Sequence, residues 1–181
     1  MGTFTVVQSW RQLGLRLVPA RPHALAIAAA AGLAFGAYMA LADATIFRSV
    51  VPASQTALVA GSSALLRIAS FAPHAVVDEL VFRLVAMSAL AWLLTALLGL
   101  RPLAFWIAIV ITALVIYPAA QHAYLAKLTP SLLTMMREIM LHGGAGILWG
   151  WLYWRHGLVA SMVGHVSAHL ALQPMLGLLF G

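Results

Sequence analysis

Long apolar segments separated by short polar ones dominate the pattern along this chain. Five or six of them extend for about 20 residues, the length that a helix needs to cross the hydrocarbon core of a bilayer. A membrane β-barrel would instead show short segments of alternating polarity. The pattern therefore predicts an all-α protein, a polytopic membrane helical bundle with about six transmembrane helices. The predicted segments cover residues 24–42, 51–71, 75–100, 102–124, 131–154 and 158–180.

The composition agrees with this class of protein. Of the 181 residues, 64% are hydrophobic and 8% are charged, and the mean hydropathy is +1.00. The ten Lys and Arg residues are scattered over loops and segment ends. The net charge of +6 therefore favours contact with anionic headgroups of the lipid bilayer, and we expect no nucleic acid partner. The absence of cysteine excludes disulfides and a cysteine nucleophile.

The beginning of the chain differs from the rest. Residues 1–22 mix arginines with Trp and Leu, and we predict a basic amphipathic lead-in at the headgroup layer, with a flexible cationic tail as the alternative. Residues 23–181 are predicted to form a single membrane domain. Segment 51–71 is more polar than the others. Whether it spans the membrane decides which side the later loops face, because the basic amino terminus favours a cytoplasmic start.

The adjacent acids Asp78 and Glu79 are the first candidates for chemistry. They are two of the four acidic residues and lie in an otherwise apolar segment, where an ionised side chain is costly and is retained chiefly for function. Glu79 and Arg83 are separated by four residues and can pair on one helix face. Asp78 points about 100° away from Glu79 on a helix. It therefore needs partners from other helices.

Histidines on later segments can supply those partners. The alternation of spans puts the beginning of the third segment and the end of the fourth on one membrane face, so Asp78, Glu79 and His122 can meet. His165 and His169 share one face of the last segment and lie roughly 10–18 Å deep. A carboxylate and a His could activate water while a second His stabilises the oxyanion. Alternatively, Asp78, Glu79, His122 and His165 could bind Zn²⁺.

A second polar group lies in the fifth segment. Glu138 and His142 are separated by four residues and Arg137 is adjacent, so they form either a local polar network near the membrane face or a support for the site. The aromatic residues that follow, from Trp149 to Trp154, predict an interfacial belt.

Four short motifs follow one another along the chain. They are Asp78-Glu79-Leu80-Val81-Phe82-Arg83, Pro118-Ala119-Ala120-Gln121-His122, Gly150-Trp151-Leu152-Tyr153-Trp154-Arg155-His156-Gly157 and His165-Val166-Ser167-Ala168-His169. In order and spacing they resemble the motifs Glu-Glu-x-x-x-Arg, Phe-x-x-x-His, Gly-Trp-Leu-Tyr-x-Arg-x-Gly and His-x-x-x-Asn of the CPBP intramembrane proteases, the CAAX prenyl protease and bacteriocin-processing (Abi) family. The chain departs from that pattern at Asp78, Pro118 and His169.

The resemblance implies an intramembrane endopeptidase with a four-helix catalytic core over about residues 75–181, acting on a membrane-associated protein or peptide. By analogy, Asp78 with His122 would activate water, Glu79 would pair with Arg83, and His165 with His169 would form the oxyanion pocket. The resemblance favours a metal-free, glutamate-type mechanism without a cofactor, with zinc as the alternative.

Two other functions remain open from the sequence. A catalytically degenerate protein of the same fold would act by binding, in bacteriocin immunity or as a scaffold, and the shorter Asp78 side chain favours this reading. A metal or proton transporter would use the same buried acids and histidines. In each case we expect an integral membrane protein, in the inner membrane of a bacterial cell.

Overall fold

The computed structural model describes residues 12–19 and 21–181, and within them every regular element is a helix. A short 3₁₀ turn, Arg48–Val50, follows the first helix. The helices are α1 (His23–Ala44), α2 (Ala53–Gly61), α3 (Ala64–Leu98), α4 (Pro102–Ala120), α5 (His122–Leu125), α6 (132–156) and α7 (Leu158–Phe180).

Three of these helices contain a π-helical segment between α-helical parts. In α3 it is Glu79–Met87, between Ala64–Asp78 and Ser88–Leu98. In α4 it is Thr112–Ile116, between Pro102–Ile111 and Tyr117–Ala120. In α6 it is Ile139–Gly143, between Leu132–Glu138 and Gly144–His156. The α4 segment contacts the other two. π-Helical turns are rare in proteins overall, but they are frequent at functional sites. The contact among these three segments therefore marks a candidate functional region.

Within the described residues, four helices, α1, α3, α4 and α7, are long and apolar enough to cross a membrane. The predicted class, an all-α polytopic membrane bundle, is confirmed. The sequence left open whether segment 51–71 spans the membrane, and in the structure this segment is not a single helix. Its first half is the short helix α2, and its second half begins α3, where the Ser63 hydroxyl caps the new helix by accepting the N–H of Leu66 at 3.3 Å. Pro73 lies inside α3 rather than at its boundary.

The closest helix packing joins α1 to α7. A Cβ atom added at Gly32 would lie 2.0 Å from the carbonyl oxygen of Gly164, and one added at Gly36 would lie 2.1 Å from that of Ala168. Only glycine at these positions lets the main chains of α1 and α7 come so close. Close packing of this kind holds membrane helices together, because lipid offers no hydrophobic driving force for their association. The other helices are therefore arranged around the closely packed α1–α7 pair.

The prediction for residues 1–11 lies outside the described residues. Residues 12–19 form a turn followed by a stretch without regular secondary structure. Leu13 and Leu15 are buried in the core, and the first two N–H groups of α7 donate to backbone carbonyl oxygens of this stretch at 2.9 and 3.0 Å. The stretch is thereby attached to the bundle at the turn between α6 and α7. The division of the chain into lead-in and membrane domain stays a prediction.

Candidate active site

A cavity of about 580 Å³ opens at one face of the bundle. Its walls come from the end of α1, from α2, from the first halves of α3 and α6, from the end of α4 and from the second half of α7. Asp43, Asp78 and Glu79 line it, and the fourth acid of the chain, Glu138, adjoins it through His142. All the carboxylates of this protein therefore gather at one site.

Glu79 lies deep in the cavity and is only 1% exposed. Its Oε1 atom is 3.0 Å from Nδ1 of His165. Its Oε2 atom accepts a hydrogen bond from the Ser161 hydroxyl and lies 3.6 Å from Nε of Arg83. The predicted Glu79–Arg83 pair is thus present as a contact. A ring nitrogen that faces a carboxylate carries its proton, so Nδ1 of His165 donates and Nε2 is left as the acceptor.

The two histidines of α7 belong to a stack of four rings. Trp149 and His165 stack at 5.3 Å between ring centroids, His165 and His169 at 5.5 Å, and His169 and Phe71 at 5.4 Å, with interplanar angles of 17°, 21° and 5°. His165 and His169 share one helix face, as their spacing predicted. Because the stack holds both imidazole rings in fixed planes, the directions of their ring nitrogens are fixed as well.

Asp78 presents a carboxylate without a partner. It is half-buried, it lines the cavity, and no side chain in the described part of the protein lies within hydrogen-bonding distance of it. His165 lines the same cavity. Asp78 therefore remains available to a molecule in the cavity.

Several buried nitrogen atoms around the cavity are also unused. Among the described residues, Nη1 of Arg83, Nε1 of Trp149 and Nδ1 of His169 have no hydrogen-bond partner. All three residues line the cavity. Buried polar atoms without partners are costly and occur where a ligand or reacting group completes the bonding. The cavity thus combines one free carboxylate with donors for a negatively charged oxygen.

The predicted placement of His122 beside Asp78 was wrong. The fourth segment does not continue as one helix: α4 ends at Ala120, the backbone turns at Gln121 with φ −93° and ψ 17°, and His122 begins the short helix α5. Its side chain is exposed and its Nδ1 atom lies 3.2 Å from the carbonyl oxygen of Ala119. His122 is not among the residues that line the cavity.

His142 lines the cavity where His122 was expected. Its Nδ1 atom is 2.6 Å from Oε2 of Glu138, and Nη1 of Arg137 is 2.7 Å from the other oxygen, Oε1. The hydroxyl of Tyr124 donates to Oε1 at 3.5 Å. Burial, with the Glu138 charge adding to it, raises the pKa of Tyr124 above its usual value, so the phenol keeps the proton that it donates. These residues form a local network that also reaches the site.

That network continues into parts of the chain that sequence reasoning missed. Arg137 binds Asp43 through Nε at 2.7 Å and Nη2 at 2.8 Å, and Nη2 also donates to Gln55 at 2.9 Å. Asp43 is a lone acid in an apolar segment, which is the same signal that identified Asp78. Trp149, predicted to lie in an interfacial belt, is only 2% exposed and belongs to the cavity wall.

The residues described do not assemble a metal site. No group of three or more His, Asp or Glu side chains among them is arranged to hold an ion. The predicted alternative set of Asp78, Glu79, His122 and His165 is not brought together, because His122 is exposed and does not line the cavity.

The model of the family described as type II CAAX prenyl endopeptidase, Rce1-like, matches residues 60–171. The match covers more than half of the chain. The chain belongs to this family. This confirms the resemblance seen in the motifs, and with the apolar helices it identifies an integral membrane protein with the fold of a CAAX-type intramembrane protease. The matched range includes Asp78, Glu79, His165 and His169, whereas Asp43 on α1 lies outside it.

Neither the search of curated proteins nor the search of solved structures returned a match.

Proposed function

We propose that this Rce1-like protein is an intramembrane endopeptidase that hydrolyses a peptide bond of a membrane-associated protein or peptide. The observation that carries the proposal is the juxtaposition, in one cavity, of the unpartnered Asp78 carboxylate with the hydrogen-bonded Glu79–His165 pair. The predicted bacterial cell membrane stays a prediction.

In the first step, a water molecule held between Asp78 and Nε2 of His165 attacks the carbonyl carbon of the peptide bond. Asp78 accepts the proton that the water loses, as a general base. Glu79 fixes His165 through its Nδ1 proton, and Arg83 balances the Glu79 charge. Glu79 and Arg83 are therefore positioning residues. His165 orients the water.

The tetrahedral intermediate carries a negative charge on the former carbonyl oxygen. The unused N–H of Trp149, and His169 in the tautomer with its proton on Nδ1, donate to that oxygen, which is the kind of preorganised stabilisation that accelerates acyl transfer most. When the carbon–nitrogen bond breaks, the proton on Asp78 passes to the leaving nitrogen. The immediate products are a carboxylic acid and an amine, and transfer of the acid's proton to the amine gives a carboxylate and an ammonium group. Asp78 is ionised again for the next water molecule.

The cavity wall indicates which part of a substrate enters. Part of the wall is lined by apolar side chains of α2, α3 and α7, namely Leu58, Val59, Phe71, Leu172 and Leu176. Apolar walls bind apolar side chains of a peptide, whereas the few polar groups fix its orientation. We infer that the substrate contributes a stretch of apolar residues next to the bond that is cleaved.

The proposal can be tested by measuring cleavage of a quenched-fluorescence peptide library by the protein in liposomes. We expect cleavage that survives a strong chelator and falls at least 100-fold in Asp78→Asn, since a general base contributes about 10² to 10⁴ in rate. Cleavage that the chelator abolishes and Zn²⁺ restores would contradict the metal-free mechanism. Unchanged cleavage by folded Asp78→Asn would remove Asp78 from the reaction.

A further inference from the structure

A second pocket, of about 360 Å³, lies at the face of the bundle opposite to the mouth of the cavity. It is built where the stretch 12–19 meets the beginning of α1 and the turn between α6 and α7. The cavity, by contrast, lies among the other ends of α1 and α7. Five basic side chains line the pocket: Arg16, Arg21, His23, Arg155 and His156.

No acidic side chain balances these charges. All four acids of the chain are at or beside the cavity on the other face. Arg16, Arg21 and Arg155 are exposed, and no hydrogen bond or ion pair in the described part of the protein involves their guanidinium groups. Burial, and then the charges of Arg155 and His23, lower the pKa of His156 below its ordinary value. The pocket is thus a concentrated positive charge that lacks a counter-charge.

The pocket is held in shape by the chain around it. Buried Leu13 and Leu15 anchor the stretch that carries Arg16, and the N–H of Leu158 donates to the carbonyl oxygen of Arg16 at 2.9 Å. Gly157 makes this contact possible. Its φ of +99° favours glycine, and an added Cβ atom would lie 3.1 Å from that same carbonyl oxygen. The arginines therefore surround one space and are not independent surface charges.

Aromatic side chains place the pocket at the level of the lipid headgroups. Trp154 lines it, stacks on Phe105 at 5.0 Å between ring centroids and meets Trp106 at 5.9 Å. The guanidinium carbon of Arg155 lies 5.4 Å from the Trp154 ring. Tryptophan is enriched where membrane and water meet. Helices α1 and α7, which are long and apolar enough to cross a membrane, both begin at this pocket.

We propose that this pocket binds the phosphate group of an anionic lipid headgroup, such as that of phosphatidylglycerol. Guanidinium groups bind phosphate oxygens through paired hydrogen bonds, and basic pockets at the ends of membrane helices recognise anionic headgroups. The bound lipid would contact both the stretch 12–19 and the turn between α6 and α7, and so would link them. The proposal does not depend on peptidase activity.

Binding of phosphatidylglycerol to the full chain in neutral detergent, followed by native mass spectrometry, tests this site. The probe variant carries Arg16→Gln, Arg21→Gln and Arg155→Gln together. We expect its affinity for the lipid to fall on the order of 100-fold, since each of the three basic groups contributes about fivefold. Because all three side chains are exposed, the variant should fold. Gly157→Ala, which disturbs the stretch without changing charge, should also weaken binding.

A matched control removes the same number of charges elsewhere, at Arg48, Arg101 and Lys127, which are exposed and do not line the pocket. We expect less than a threefold loss. Equal losses in both triple variants would show non-specific attraction and overturn the proposal. Two further binding measurements use inorganic phosphate as a competitor and phosphatidylcholine as an alternative lipid. Displacement of the lipid by millimolar phosphate would assign the pocket to a soluble anion and overturn the lipid assignment, and equal binding of phosphatidylcholine would exclude recognition of charge.

Discussion

Replacing Asp43 by asparagine should destabilise the bundle strongly although Asp43 lies outside the matched family region. Its two carboxylate oxygens bind Arg137 at 2.7 and 2.8 Å, and both residues are 2% exposed. Removing one partner of a buried ion pair costs about 3–5 kcal/mol, because the remaining charge stays buried without compensation. Glu138 and Gln55 remain bonded to Arg137. We therefore expect a loss near the lower limit, about 3 kcal/mol.

The assay is reversible unfolding in mixed micelles, with helicity followed against the fraction of denaturing detergent. The control Lys127→Gln removes an exposed charge and should change the free energy of unfolding by no more than about 0.5 kcal/mol. The double variant Asp43→Asn/Arg137→Gln closes a double-mutant cycle, and we expect a coupling energy of at least about 1.5 kcal/mol. A loss below about 1 kcal/mol in Asp43→Asn, with coupling near zero, would refute the reasoning.

Three further predictions address packing, catalysis and orientation. Gly36→Ala would put a Cβ atom 2.1 Å from a carbonyl oxygen of α7, so its melting temperature should fall by several degrees in a thermal scan, whereas Gly61→Ala, with nothing within 4 Å, should not lower it. Asp78→Glu should raise kcat/KM in the peptidase assay because it restores the longer carboxylate. An inactive parent whose Glu variant is active would instead identify a degenerate binding protein. In this cysteine-free chain, a maleimide that cannot cross membranes should label Lys127→Cys in intact cells but label Arg101→Cys only after lysis, because the more basic face should be cytoplasmic. The reverse pattern would invert the orientation.

Helix type and the central acids could be predicted because they depend on local spacing. The last helix occupies the predicted residues, Leu158–Phe180. Its one-residue boundary with α6 is Gly157, whose positive φ ends a helix sharply. Glu79 meets Arg83, and His165 and His169 share a face, because residues four apart on a helix are neighbours whatever surrounds them.

Features that depend on the path between helices could not be predicted in the same way. The position of His122 follows from a turn at Gln121, for which the local sequence offers no proline or glycine at the break. The network from Asp43 to His142 joins residues about 100 positions apart. The π-helical segments rotate the side-chain faces of α3, α4 and α6 away from the positions that a period of 3.6 residues predicts. Tertiary contacts decide all three features.

The most direct test of the proposed site compares His165→Ala with His122→Ala in the liposome peptidase assay. Both histidines belong to family-like motifs, but only His165 bonds to Glu79 within the cavity, while His122 is exposed. We expect His165→Ala to lose at least about 100-fold in kcat/KM and His122→Ala to remain within threefold of the parent, with both proteins folded. Full activity in His165→Ala together with loss in His122→Ala would contradict the account and move the reaction centre to the end of α4.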